Sequence, residues 1–153
     1  YGVCVMDIKD YGLKLVLKRK YSKKEFSDKL IKKGYEEDEV KKLVLHFEEL
    51  GYLDDFDYAK RFVHDSVNLK KRGTRRIILE LKAKGIPDEI IDGALSGEKI
   101  CEPDTIKELI LKQNVDLRDL KIREKVIRKL MYKGFRRLDI ENVIKTLMEG
   151  GIL

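Results

Sequence analysis

Tryptophan is absent from this chain of 153 residues, proline occurs twice, and the only cysteines are Cys4 and Cys101. Without tryptophan and with so little proline there is little scope for sandwiches or turn-rich folds, and 41% charged residues suit helices with a heavily solvated surface. Two cysteines are too few for a disulfide framework or a tetrathiolate zinc site, so both read as reduced thiols of a reducing cytoplasm. No apolar run approaches the roughly 20 residues that span a bilayer. The opening Tyr1-Gly2-Val3-Cys4-Val5-Met6 also lacks the basic start and the length of a signal peptide. A soluble, cytoplasmic protein is expected. Since the chain starts at Tyr1 and not at Met, a further N-terminal part is expected upstream.

Catalytic signatures are missing as well. His46 and His64 form no His-x-x-x-His pair and neighbour no cysteine at ligand spacing, so no metal site is expected. There is no Gly-rich phosphate loop, no Gly-x-Ser-x-Gly elbow and no strand-then-helix pattern of a nucleotide fold. Neither a cofactor nor a small-molecule substrate is expected. Paired acids such as Asp54 and Asp55 could do acid–base work, but at the start of a helix they read as caps that favour its dipole.

What the chain does have is a repeat. Leu30-x-x-Lys33-Gly34-Tyr35, Leu81-x-x-Lys84-Gly85-Ile86 and Leu130-x-x-Lys133-Gly134-Phe135 place leucine, lysine, glycine and a large apolar residue at a period of about fifty residues, the mark of tandem helical units. Residues 21–53 slide onto 121–153 without a gap, with Phe26 facing Val126, Tyr35 facing Phe135 and Phe47 facing Leu147. Three units follow: 1–53, 54–97 and 98–153. Each leans on its neighbours for stability.

Each unit reads as three helices. In the first, Leu13, Val16 and Leu17 predict a helix ending near Lys20, and Ser22-x-x-Glu25 predicts a capping box opening a second helix with Phe26 and Leu30 inward. Gly34 stops that helix, Tyr35 enters the core, and Val40, Leu43, Val44, Phe47 and Leu50 stripe a third helix closed by Gly51. In the second unit, Asp54 and Asp55 cap a longer helix carrying Ala59, Phe62, Val63 and Ser66 on one face. Gly73-Thr74 opens the next, with Ile77 and Leu81 inward, and Pro87 opens a short one with Ile91, Ala94 and Leu95. The third follows a connection at Ser96 to Glu102, with Pro103 starting a helix striped by Ile106, Leu109 and Ile110, and with Val126 and Leu130 at the places of Phe26 and Leu30.

The net charge of +6 permits contact with nucleic acid or an acidic protein face without requiring either, so its distribution matters more. Lys70, Lys71, Arg72, Arg75 and Arg76 crowd one helix-to-helix turn. Residues 121–137 hold eight basic side chains, among them Arg128, Lys133, Arg136 and Arg137, against the single acid Glu124. Lysine and arginine suit phosphates or carboxylates of a partner, and the helix N-terminus at Thr74 would add backbone donors. The plainer reading, a solvated helix face, stands beside it. A helix-turn-helix reader of bases ranks lower, because the third helix of unit one is acidic and that of unit two is short.

The middle unit, Leu53-Asp54-Asp55-x-x-Tyr58-Ala59-x-x-Phe62 followed by Gly73-x-x-Arg76-Ile77-x-x-Glu80-Leu81-x-x-Lys84-Gly85-Ile86, resembles the RecX family of bacterial recombination regulators. The flanking units fit the same pattern, with Ser22-x-x-Glu25-Phe26-x-x-Lys29-Leu30-x-x-Lys33-Gly34 in the first. The resemblance implies an all-α, elongated and curved tandem array of three three-helix units. Such a protein would be a monomeric regulator and not an enzyme, lying in the groove of the RecA filament and restraining RecA's ATPase, strand exchange and coprotease activities. Single- or double-stranded DNA is a second expected partner. Among the matched positions, packing and capping explain most, which leaves Arg76, Lys84 and Tyr58 as contact candidates. The alternative is an autonomous nucleic-acid-binding module acting through phosphate contacts, whose binding without RecA would fall steeply with salt.

Overall fold

The computed structural model describes residues 6–151, so Cys4 lies outside the described residues, as does Leu153, the last position of the sliding match. The described residues form nine helices and no strand: α1 Ile8–Lys18, α2 Lys23–Lys33, α3 Glu37–Glu49, α4 Asp55–Asn68, α5 Thr74–Ala83, α6 Asp88–Ser96, α7 Glu102–Gln113, α8 Leu120–Tyr132 and α9 Arg137–Glu149. The fold is all-α, and its helices follow the tandem three-helix pattern. By packing, the chain divides into two compact units. The first holds the residues up to Phe62 together with Leu81–Leu95, and the second holds Val63–Glu80 together with the residues from Ser96 onward.

The apolar stripes account for the cores. In the first unit Leu15, Tyr21, Phe26, Leu30, Val40, Leu43, Phe47 and Leu53 pack together. In the second Ile106, Ile110, Leu117, Val126, Ile127, Leu130, Phe135, Ile140 and Leu147 do so. At roughly 1.5–3 kcal/mol for each fully buried large apolar side chain, these clusters hold the helices in place. The C-cap glycines behave as the repeat requires: Gly34, Gly85 and Gly134 have φ of 112°, 77° and 108°. After each of them the next residue's N–H returns to the carbonyl of Leu30, Leu81 or Leu130.

Several expectations need correction. Leu17 is 76% exposed, whereas Leu13 and Val16 do pack against the core, and α1 buries Gly12 and Leu15 there. A Cβ at Gly12 would lie 2.9 Å from Leu43 Cδ2, so the glycine sets how closely α1 approaches. Leu50 is 55% exposed, and Leu53 takes the buried place beyond α3. Tyr35 is half-buried because its hydroxyl must be satisfied, and it donates to the Met6 carbonyl at 2.6 Å. The capping box is only half formed: Ser22 Oγ accepts from the Glu25 N–H at 3.1 Å, but no bond returns from the Glu25 carboxylate to the Ser22 N–H. Asp54 caps its own helix, accepting from the Asp57 N–H at 3.1 Å, whereas Asp55 accepts from the Lys23 N–H at 2.9 Å and so caps α2.

Candidate partner-binding surface

The repeat produces the same contact twice. Ser22 and Glu25 at the start of α2 correspond, 51 residues on, to Gly73 and Arg76 at the start of α5. In the first unit the start of α2 meets Lys84 and Gly85 just beyond α5, with Ser22 Oγ donating to the Lys84 carbonyl at 2.7 Å. In the second unit the start of α5 meets Lys133 and Gly134 just beyond α8, and there the Gly73 backbone N–H donates to the Lys133 carbonyl at 2.8 Å. The backbones approach so closely that a Cβ on Gly73 would lie 2.3 Å from the Gly134 carbonyl carbon, and one on Gly134 would lie 2.4 Å from Arg76 Cβ.

At the α2/α5 junction the repeated lysine, Lys84, has a counter-charge in Glu25. Glu25 receives Lys84 Nζ at 2.7 Å, the Tyr58 hydroxyl at 3.0 Å and Arg19 Nη1 at 3.1 Å. Burial pushes the Glu25 carboxyl up, but hydrogen bonds from Lys84, Arg19 and Tyr58 outweigh it and hold the group below the usual carboxylate range. The bond to Glu25 raises the Lys84 ammonium in turn, and burial raises the Tyr58 phenol. Two of the three residues singled out by family resemblance, Tyr58 and Lys84, are thus committed to an internal network.

At the α5/α8 junction the acid is replaced by a cation, and the charges do not cancel. Arg76 Nε donates to Glu80 at 2.7 Å, its Nη1 donates to the Tyr132 carbonyl at 3.2 Å, and its guanidinium lies 4.6 Å from the centroid of the exposed Tyr132 ring. Arg72 bonds the other oxygen of Glu80, so one carboxylate serves two arginines. Lys133 Nζ reaches only the Lys70 carbonyl, at 3.2 Å, and makes no ion pair among the described residues. Burial, then the positive charges of Arg72, Lys112 and Lys129, hold its ammonium below the usual lysine range. Lys71 adopts the left-handed region with φ of 52°, a conformation costing roughly 1 kcal/mol for a side chain of this kind.

The structure therefore brings Lys70, Arg72, Arg76 and Lys133 together in one compact unit through Glu80, the Lys70 carbonyl and the Gly73–Gly134 approach. Arg75 is exposed and unpaired among the described residues, and Arg128 is exposed on α8. Lys71 lies 3.7 Å from Glu108. Arg136 pairs with Asp139 at 3.0 Å, and Arg137 with Glu124 at 2.5 Å and Glu141 at 2.7 Å, so the run from 121 to 137 is less basic in space than along the chain. The α5 N-terminus is not an open donor site. Glu102 accepts from the Thr74 N–H at 2.9 Å and from its hydroxyl. Sequence reasoning missed Tyr132 and Lys112, and it counted Lys129 only as one of the eight basic residues of the 121–137 run. Tyr132 directly precedes the repeated Lys-Gly, a position that marks it, but Lys112 joins the cluster only through helix packing. Among the described residues no group of three or more His, Cys, Asp or Glu could hold a metal ion, and no helix is long and apolar enough to cross a membrane.

Residues 54–95 match the family described as RecX, second three-helix domain. The chain is 32% identical over 150 residues to the "Regulatory protein RecX" of Clostridium botulinum (strain Alaska E43 / Type E3), covering 94% of this chain and 70% of that protein. It is also 32% identical over 133 residues to the protein of the same name in Vibrio vulnificus (strain CMCP6), covering 86% of each. Among solved structures it superposes on the crystal structure of RecX from Lactobacillus salivarius with a TM-score of 0.76 and 25% identity, covering 91% of this chain and 93% of that one.

Proposed function

This chain belongs to the RecX family, and from that premise we propose that it binds the RecA–single-stranded DNA filament and restrains RecA's ATPase, strand exchange and coprotease activities in recombination and DNA repair. The observation that carries the reading is the imbalance at the α5/α8 junction. Lys70, Arg75 and Lys133 form no ion pair among the described residues; Lys133 reaches the Lys70 carbonyl, Arg75 is exposed on α5, and the neighbouring Arg76 lies over the exposed ring of Tyr132. Cations beside an exposed aromatic suit an acidic protein face, where aromatic and arginine side chains anchor interfaces. Tyr58 and Lys84 drop out of the contact set and serve as internal supports. As proposed, the chain works as a cytoplasmic monomer, and the ATP turned over belongs to RecA.

Adding the chain to RecA on single-stranded DNA is expected to depress ATP turnover, and Lys70→Ala with Arg75→Ala is expected to relieve the inhibition with helix content unchanged. Unchanged turnover at saturating chain removes the proposal. Tight, salt-sensitive binding to DNA alone, with no effect on RecA, points instead to a module working through phosphate contacts.

A further inference from the structure

We propose that the hollow between α7 and α8, walled by Lys112, Gln113, Lys129 and Lys133 over a floor of Leu109 and Leu130, is a binding site for a phosphate group. It lies wholly within the second compact unit and has a volume of about 180 Å³. That is below the roughly 300–1,000 Å³ of sites that engulf whole small molecules, and it suits one phosphate without the base or sugar attached to it. A site of this size reads charge and not sequence.

The charges around it are one-sided. Neither Lys112, Lys129 nor Lys133 makes an ion pair among the described residues, although carboxylates are plentiful elsewhere on the surface. Lys133 is partly buried in this company, and burial together with the charges of Arg72, Lys112 and Lys129 makes its protonated form less favourable than usual. An anion in the hollow would offset that repulsion, and three ammoniums provide movable point charges for its oxygens. A comparable hollow in the first unit, lined by Lys23, Lys24 and Lys41, is largely balanced: Lys23 pairs with Glu48 at 2.7 Å and Lys41 lies 3.7 Å from Glu37, which leaves Lys24 alone without an ion pair among the described residues. Lysine lining alone is therefore not the distinguishing feature; the missing counter-charge is.

The claim does not depend on the filament reading, since the hollow holds phosphate whether or not the chain touches RecA. Two phosphate sources share the chemistry, a free phosphate ion and the phosphodiester of a strand. The test uses the full chain without RecA, titrated with inorganic phosphate and with a fluorescent oligothymidylate, and follows the side-chain NMR signals of Lys112, Lys129 and Lys133. Lys112→Gln with Lys129→Gln, both exposed, is expected to weaken binding about tenfold at moderate salt and to reduce the log–log salt slope for the oligonucleotide by about 0.7, the share of one phosphate. A control of equal charge, Lys14→Gln with Lys18→Gln on α1, should change it less than about twofold. Competition by inorganic phosphate assigns the site to a free phosphate, and oligonucleotide binding without such competition assigns it to a strand. If neither probe moves the three lysine signals, or if the double variant binds both probes like the parent, the site does not exist.

Discussion

The α2/α5 and α5/α8 junctions share a backbone arrangement and differ in charge. At both, the first turn of one helix sits against the Lys-Gly that ends another, and the lysine carbonyl accepts a bond from that turn. At the first, Glu25 gathers a lysine, an arginine and a tyrosine on one carboxylate, so the junction lysine Lys84 has its counter-charge. At the second, Gly73 and Arg76 stand in the places of Ser22 and Glu25, the backbones close further, and Lys133 is left among cations. A repeat can therefore keep its packing while the junction lysine of one copy loses its counter-charge and becomes available to a partner.

The largest effect should come from the packing that only the second junction has. Gly73→Ala would force a Cβ to within 2.5 Å of three backbone atoms at Gly134 and Phe135, which side-chain movement cannot relieve. A loss of about 3 kcal/mol or more in urea unfolding is expected. Gly34→Ala meets nothing within 4 Å and bears only its left-handed φ, so it should cost about 1 kcal/mol. Equal losses at the two positions would erase the packing half of the contrast.

Next in size is Glu25→Gln, which keeps the shape and removes the charge that three donors share. A loss of about 1–2 kcal/mol is expected from weakened charge-assisted bonds at a site that is 18% exposed. The pH dependence carries the same signature. With the Glu25 pKa lower folded than unfolded, its contribution is complete above the ordinary glutamate value of about 4.3 and is lost as pH falls through the folded value. Asp55 runs the other way. Burial raises its carboxyl, so its ionisation with rising pH costs stability, and the N–H of Lys23 only partly offsets this. The Glu25→Gln protein should show a shallower acid decline than the parent, and Asp55→Asn a steeper one, in thermal melts across the carboxylate range.

The smallest effect is expected at Lys71. Lys71→Gly relieves a left-handed side chain but loosens the unfolded chain, so stability should stay within about 0.5 kcal/mol of the parent. A loss well beyond that would mean that Lys71 supports the turn through its contact with Glu108.

Helix order, core stripes and cap glycines were legible because each depends on neighbours three to ten residues away. Phe26, Leu30, Val40 and Phe47 are fully buried as their spacing requires. Leu17 and Leu50 misled because both extend an apolar stripe at a helix end, whereas Leu15 and Leu53 take the buried places. The basic turn from Lys70 to Arg76 was visible along the chain, but its meeting with Lys133 was not, since it depends on the approach of Gly73 to Gly134 across more than half the length of the unit. Equally hidden were the Glu25 partner of Tyr58 and Lys84 and the Glu124 partner of Arg137, whereas Asp139 and Glu141 lie within one helical turn of Arg136 and Arg137. Tertiary packing decides which carboxylate beyond its own helical turn a surface cation meets.

The contrast between the junctions is tested most directly by the affinity for RecA filaments on single-stranded DNA of two variants of equal charge, measured at one salt concentration. Lys70→Ala with Arg75→Ala should weaken binding by about tenfold, the scale of two lost interface charges, and Lys14→Gln with Lys18→Gln should leave it within about twofold of the parent. Equal losses in the two variants would mean that the filament senses only net charge, and the α5/α8 junction would have no special part in binding.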